Sequence, residues 1–66
     1  MSGGGAPDPL VRKLRHDLSN PLAAILAETQ LLLLSAEKFD EETVAGLKQI
    51  ETLARKMRQI LEALDK

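Results

Sequence analysis

Sixty-six residues allow one small domain with a modest core, and a chain of that size is marginal unless something adds to its burial. Nine basic and ten acidic side chains leave a net charge of −1, and Phe39 is the single aromatic residue; neither the basic footprint nor the stacking rings of a nucleic-acid binder are present. Cysteine is absent and histidine occurs once, which excludes disulfides and thiolate–zinc sites, argues against a protein-only metal site, and leaves oligomerisation as the source of extra burial.

Residues 1–7 read as a flexible leader, because Ser2, Gly3, Gly4 and Gly5 offer almost no side chain with which to build a core. Asp8-Pro9 then marks a helix start: Asp caps free backbone N–H groups, and Pro suits the first helical position. Leu10, Val11, Leu14, Leu18, Leu22, Ile25 and Leu32 recur at helical spacing. The first helix should therefore run from about residue 9 to about residue 35, roughly 40 Å. Pro21 lies inside it and removes one N–H bond, so a bend or loosened turn is expected near Asp17.

Leu31-Leu32-Leu33-Leu34 is wider than a single stripe. Leu32 continues the core line while the others turn to different faces, as in a helix end buried in a bundle or in a docking patch. This run is the longest strictly apolar one, far short of the roughly 20 residues of a membrane span. No signal peptide is visible. No membrane contact is expected from this stretch, and a cytoplasmic location is, with any membrane anchor lying in a longer parent protein.

A short loop is expected at about residues 36–40. Asp40 reads as the cap of a second helix, Glu41 and Glu42 suit its first turn, and Phe39 with Val44 fits a hydrophobic staple. That helix should extend from about residue 41 to about residue 64. Leu47, Ile50, Ala54, Met57, Leu61 and Leu64 form a heptad seam, which Leu53 and Ile60 widen. Lys48, Glu51, Arg55, Arg58, Gln59 and Glu62 read as the solvated face. Gly46 lies near the apolar side, where it is expected to let the loop end of the first helix approach closely. Two antiparallel helices alone cannot enclose so broad an apolar surface, whereas two paired hairpins can. The expected fold is all-α: residues 8–66 as an antiparallel helical hairpin that forms a homodimeric four-helix bundle.

The only histidine sits in Leu14-Arg15-His16-Asp17-Leu18-Ser19-Asn20-Pro21-Leu22. At about 100° per residue, Leu14, Leu18 and Leu22 cluster on one side of the helix and His16 points roughly opposite. An imidazole so placed is presented to solvent or to a partner. Near neutrality it is a competent nucleophile, its unperturbed pKa being about 6.5. The run His16-Asp17-Leu18-Ser19-Asn20-Pro21-Leu22 resembles the phosphoacceptor motif of sensor histidine kinases, in which His-Asp/Glu-Leu is followed two residues later by Thr or Asn, Pro and Leu. The hairpin around it extends the resemblance to most of the chain.

The resemblance implies the dimerisation and histidine phosphotransfer domain of a two-component sensor kinase, itself a homodimeric four-helix bundle. His16 would be the phosphoacceptor. Asp17 would be the general base, holding the proton on one ring nitrogen so that the other lone pair can attack. Asn20, one helical turn from His16 on nearly the same face, would position water for the phosphatase reaction. ATP and Mg would be held by a separate catalytic domain of the same kinase, and the phosphate would pass to an aspartate on a response regulator receiver domain. The small side chains of Ala23 and Ala27 would let that partner come close, and Arg12 and Lys13 would steer an acidic partner or steady the phosphate. No glycine-rich phosphate loop and no Asp-x-Gly-x-Gly segment occurs, so the chain by itself is expected not to autophosphorylate and reads as a domain of a longer sensor kinase. Two other functions fit the same residues: a purely structural dimerisation hairpin, and a stand-alone histidine phosphotransfer protein.

Overall fold

The computed structural model describes residues 8–64. The leader expected at residues 1–7 lies outside the described residues. Two helices and one short turn make up the rest: α1 over Pro9–Leu33, a 3-10 turn over Ala36–Lys38, and α2 over Glu41–Ala63. The two helices pack against each other as an all-α hairpin.

The boundaries follow from local chemistry. Asp8 caps α1, its Oδ1 accepting from the Leu10 N–H at 2.7 Å, and Pro9 stands in the first turn where a missing N–H costs nothing. The helix continues through Pro21 to Leu33. Its last carbonyls are taken by tighter bonds, from the Leu34 N–H to Leu31 at 3.2 Å and from the Ser35 N–H to Leu32 at 3.1 Å. These i to i+3 bonds narrow the final turn and let the chain reverse without a left-handed glycine. Phe39 is extended, and Asp40 caps α2 by accepting from the Thr43 N–H at 2.8 Å.

Hydrogen bonding to Thr43 holds the Asp40 carboxyl below the usual carboxylate range. A lowered folded-state pKa contributes stability above the ordinary carboxylate pKa of about 4 and loses it as pH falls through the folded value. Wild-type helicity, followed by circular dichroism from about pH 5 to about pH 2, should fall further than that of Asp40→Asn, because an asparagine cap does not titrate.

The seam between the helices is narrower than the apolar pattern suggested. On α1 it comprises Val11, Arg15, Ser19, Leu22, Leu26, Thr29 and Leu33, and on α2 Val44, Leu47, Glu51, Ala54 and Leu61. The α1 set steps by three and four throughout, and the α2 set does so up to Ala54 and then by seven to Leu61, the spacings of helices crossing at a shallow angle. Only Leu22, Leu26, Ala54 and Leu61 are apolar and buried among the described residues. Thr29 is buried with them, and its hydroxyl is satisfied by donating to the Ile25 carbonyl at 2.7 Å.

Three expectations are corrected here. Leu14, Leu18, Ile25 and Leu32 do not share the seam with Leu22; each stays nearly half exposed, as do Ile50, Leu53 and Met57 on α2. A helix this apolar has a face wider than one neighbour can cover, and the inner edge of that face is the part its own partner helix takes. Gly46 is not a close-approach point within the hairpin, since a Cβ added there would meet nothing within 4 Å. Glu51 is not on the solvated face. It is half-buried at the seam, where its Oε2 accepts from Gln30 Nε2 at 3.3 Å and from Arg55 Nη2 at 3.2 Å. The first of these bonds joins the two helices, giving an acidic side chain a reason to lie inward.

Candidate functional site

α1 carries the candidate residues in its first half, between the Asp8 cap and Pro21. His16 is exposed, and no hydrogen bond to its ring is formed among the described residues. Asn20 is exposed one turn further on, displaced along the axis by about 6 Å. Ala23 and Ala27 are exposed as well and leave the surface beyond Asn20 low. The helix thus brings His16, Asn20 and the two alanines to one outer face, turned away from the seam occupied by Arg15, Ser19 and Leu22.

Asp17 is exposed but is engaged elsewhere. Its Oδ2 pairs with Lys13 Nζ at 2.8 Å, an i,i+4 contact along the surface of α1. The hydrogen bond from Lys13 holds the Asp17 carboxyl below its ordinary range; desolvation opposes it, and the Lys13 and His16 charges add to it. Lys13 is correspondingly raised by the same bond. Asp17 is therefore ionised at neutral pH and free of its neighbour's ring. Lys13, expected to steer an acidic partner or steady the phosphate, is instead engaged with Asp17 on its own helix. The four-residue spacing of Lys13 and Asp17 was the signal that a local ion pair would form.

The backbone around His16 is also distinctive. Pro21 has no N–H to give to the Asp17 carbonyl, which loses its helical donor. Ser19, two residues earlier, donates its hydroxyl to the Arg15 carbonyl at 2.6 Å. A side-chain bond of this kind competes with the helical ladder and favours local bending. The turn that carries His16 is flanked by both departures from regular helix bonding.

No group of three or more His, Asp or Glu residues that could hold a metal ion occurs among the described residues. Nor is any helix among them long and apolar enough to cross a membrane.

Comparison with protein families adds the decisive observation. The model of the HisKA family, the His Kinase A (phospho-acceptor) domain, matches residues 9–65. The chain belongs to that family. Comparison with curated proteins and with solved structures returned no match. The HisKA match begins at the first residue of α1 and takes in the loop and all of α2, so the hairpin as a whole carries it. HisKA domains have phosphoacceptor and dimerisation roles in histidine kinases, where they are joined to catalytic domains. Within this HisKA hairpin, His16 is the only histidine.

Proposed function

We propose that this HisKA domain accepts phosphate on His16 and passes it to an aspartate of a response regulator receiver domain. The carrying observation is the placement of the sole imidazole: exposed, unbonded, on the outer face of α1, with a carboxylate at the next residue and an amide one turn on. A histidine kept for packing would lie at the seam; this one does not.

The donor in this reading is ATP, held with magnesium by a separate catalytic domain. One ring nitrogen of His16 attacks the γ-phosphorus in line with the bond to the leaving oxygen. An N–P bond forms, the P–O bond breaks, and its electron pair leaves on ADP. Asp17 takes the proton from the other ring nitrogen, so the product is a neutral phosphoimidazole and not a phosphoimidazolium, from which the ring would leave readily and reverse the transfer. The receiver aspartate then attacks the same phosphorus: an O–P bond forms, the N–P bond breaks with its electron pair passing to the ring, and a proton returned by Asp17 to the other ring nitrogen lets a neutral imidazole depart. Asn20 orients a water against the resulting acyl phosphate when the domain acts as a phosphatase.

The domain works in this reading as a homodimer. Leu10, Leu14, Leu18, Ile25 and Leu32 on α1, with Ile50, Leu53, Met57, Ile60 and Leu64 on α2, are all exposed in the single hairpin. The α2 set steps by three and four along the helix, a second seam beside the internal one. A second copy covers both stripes at once and completes a four-helix bundle, leaving the face that carries His16 open.

Mixing the chain with the ATP-binding domain of a histidine kinase and γ-labelled ATP tests the reading. The label should be acid-labile and alkali-stable, and mass spectrometry should place it on His16. A competent catalytic domain that leaves the chain unlabelled would point instead to a structural dimerisation hairpin. Label arriving only from a phosphorylated receiver would make it a stand-alone phosphotransfer module. Asn20→Ala should lower dephosphorylation of the receiver by about 10- to 100-fold and leave labelling of His16 within about two-fold; an equal loss in both assays would make Asn20 a positional residue.

A further inference from the structure

Asp17 is the group asked to take the His16 proton, yet the structure shows its carboxylate bound to something else. Lys13 Nζ lies 2.8 Å from Oδ2, and neither carboxylate oxygen bonds the imidazole. The geometry has a simple origin. Residues four apart on a helix are neighbours, whereas adjacent residues point about 100° apart. Lys13 therefore reaches Asp17 more readily than Asp17 reaches His16, and it draws the carboxylate toward the helix N-terminus along the α1 surface.

We infer that Lys13 is a positioning residue that restrains the base: its ammonium holds the Asp17 carboxylate off the His16 ring, and the pair opens before the imidazole proton is taken. The inference rests on the phosphoacceptor reading above. Both partners are well exposed, at 73% and 51% of their side-chain surface, so the pair is weak and screened by salt. A restraint of that kind slows the reaction without blocking it, and a docked catalytic domain that supplies another partner for the ammonium removes it. A carboxylate beside an ammonium is also a poorer base, so opening the pair improves both its position and its basicity. The charges acting on Asp17 come from Lys13 and His16 on its own helix. A lysine that served the transferring phosphate directly would have the opposite effect on rate, which makes the sign of one substitution decisive.

The experiment compares labelling of His16 by a catalytic domain and ATP in the intact chain and in Lys13→Met, with circular dichroism to show that helicity is kept. Methionine has nearly the helix propensity of lysine, so the substitution removes charge and little else. Labelling should rise about two- to five-fold in Lys13→Met, the range an exposed ion pair commands. Lys13→Arg, which keeps the ion pair, should return the rate to near that of the parent chain. In an Asp17→Asn background Lys13→Met should bring no increase. Carbon-detected NMR of the Asp17 carboxyl gives an independent readout, its titration midpoint moving up in Lys13→Met.

A fall or no change in labelling rate, or an Asp17 midpoint that does not move, overturns the inference. If the parent chain takes no label while the midpoint still moves, the phosphoacceptor reading has failed and the restraint falls with it. Normal labelling at an unaltered rate in Lys13→Met sinks the restraint alone.

Discussion

His16→Ala should abolish acid-labile label completely, and Asp17→Asn should slow labelling of His16 by about 100- to 10,000-fold. The first result follows from composition as much as geometry: no second histidine exists to take over the phosphate. The second follows from the proton that has to leave the ring as the N–P bond forms. Asparagine keeps the size of the side chain and its ability to hydrogen-bond, but it cannot accept that proton at neutral pH. Asp17 is exposed and contributes nothing to either apolar stripe, so Asp17→Asn should leave the fold and association unchanged. Initial rates of labelling, measured beside sedimentation of the same samples, separate the two effects. An unaltered rate in Asp17→Asn removes the base role; a lost rate accompanied by dissociation assigns the residue to structure.

Met57→Glu should weaken self-association by at least about 100-fold, seen as monomer in sedimentation at concentrations where the parent chain is dimeric. Met57 stands midway along the exposed α2 stripe, between Leu53 and Ile60, and is 49% exposed in the hairpin. Covering its exposed half with a second copy is favourable, at about half of the roughly 1.5–3 kcal/mol that full burial of a side chain of this size returns. Covering a glutamate there strands a carboxylate between Leu53 and Ile60 in an apolar seam, which costs several kcal/mol; each 1.4 kcal/mol is a factor of ten in affinity. Glutamate is a good helix former, so α2 itself is not the weak point. Gln59→Glu, on the opposite side of the same helix, makes the same change of charge and should leave association intact. If both variants remain dimeric, the stripe is not the interface. If both dissociate, net charge and not location decides the outcome.

Much of this molecule is legible in one dimension because its decisive signals are local. Asp8-Pro9 and Asp40 set helix starts through bonds to backbone N–H groups two or three residues away, and such bonds need no tertiary partner. The position of His16 opposite Leu14, Leu18 and Leu22 follows from the helical repeat alone, and the residues from His16 to Leu22 were enough to suggest the family that the match over residues 9–65 established.

What periodicity could not do was divide one wide apolar face between two neighbours. Leu18 and Leu22 look equivalent in the sequence, yet Leu22 is 4% exposed and Leu18 47%. Gly46 and Glu51 were misplaced for the same cause, each assigned to a side of α2 before the rotation of that helix against α1 was known. A repeat of 3.6 residues fixes which side chains share a face but carries no information about which edge of that face meets which neighbour. That rotation is set by the packing of Leu22, Leu26, Ala54 and Leu61 across the hairpin, and only the tertiary structure decides it.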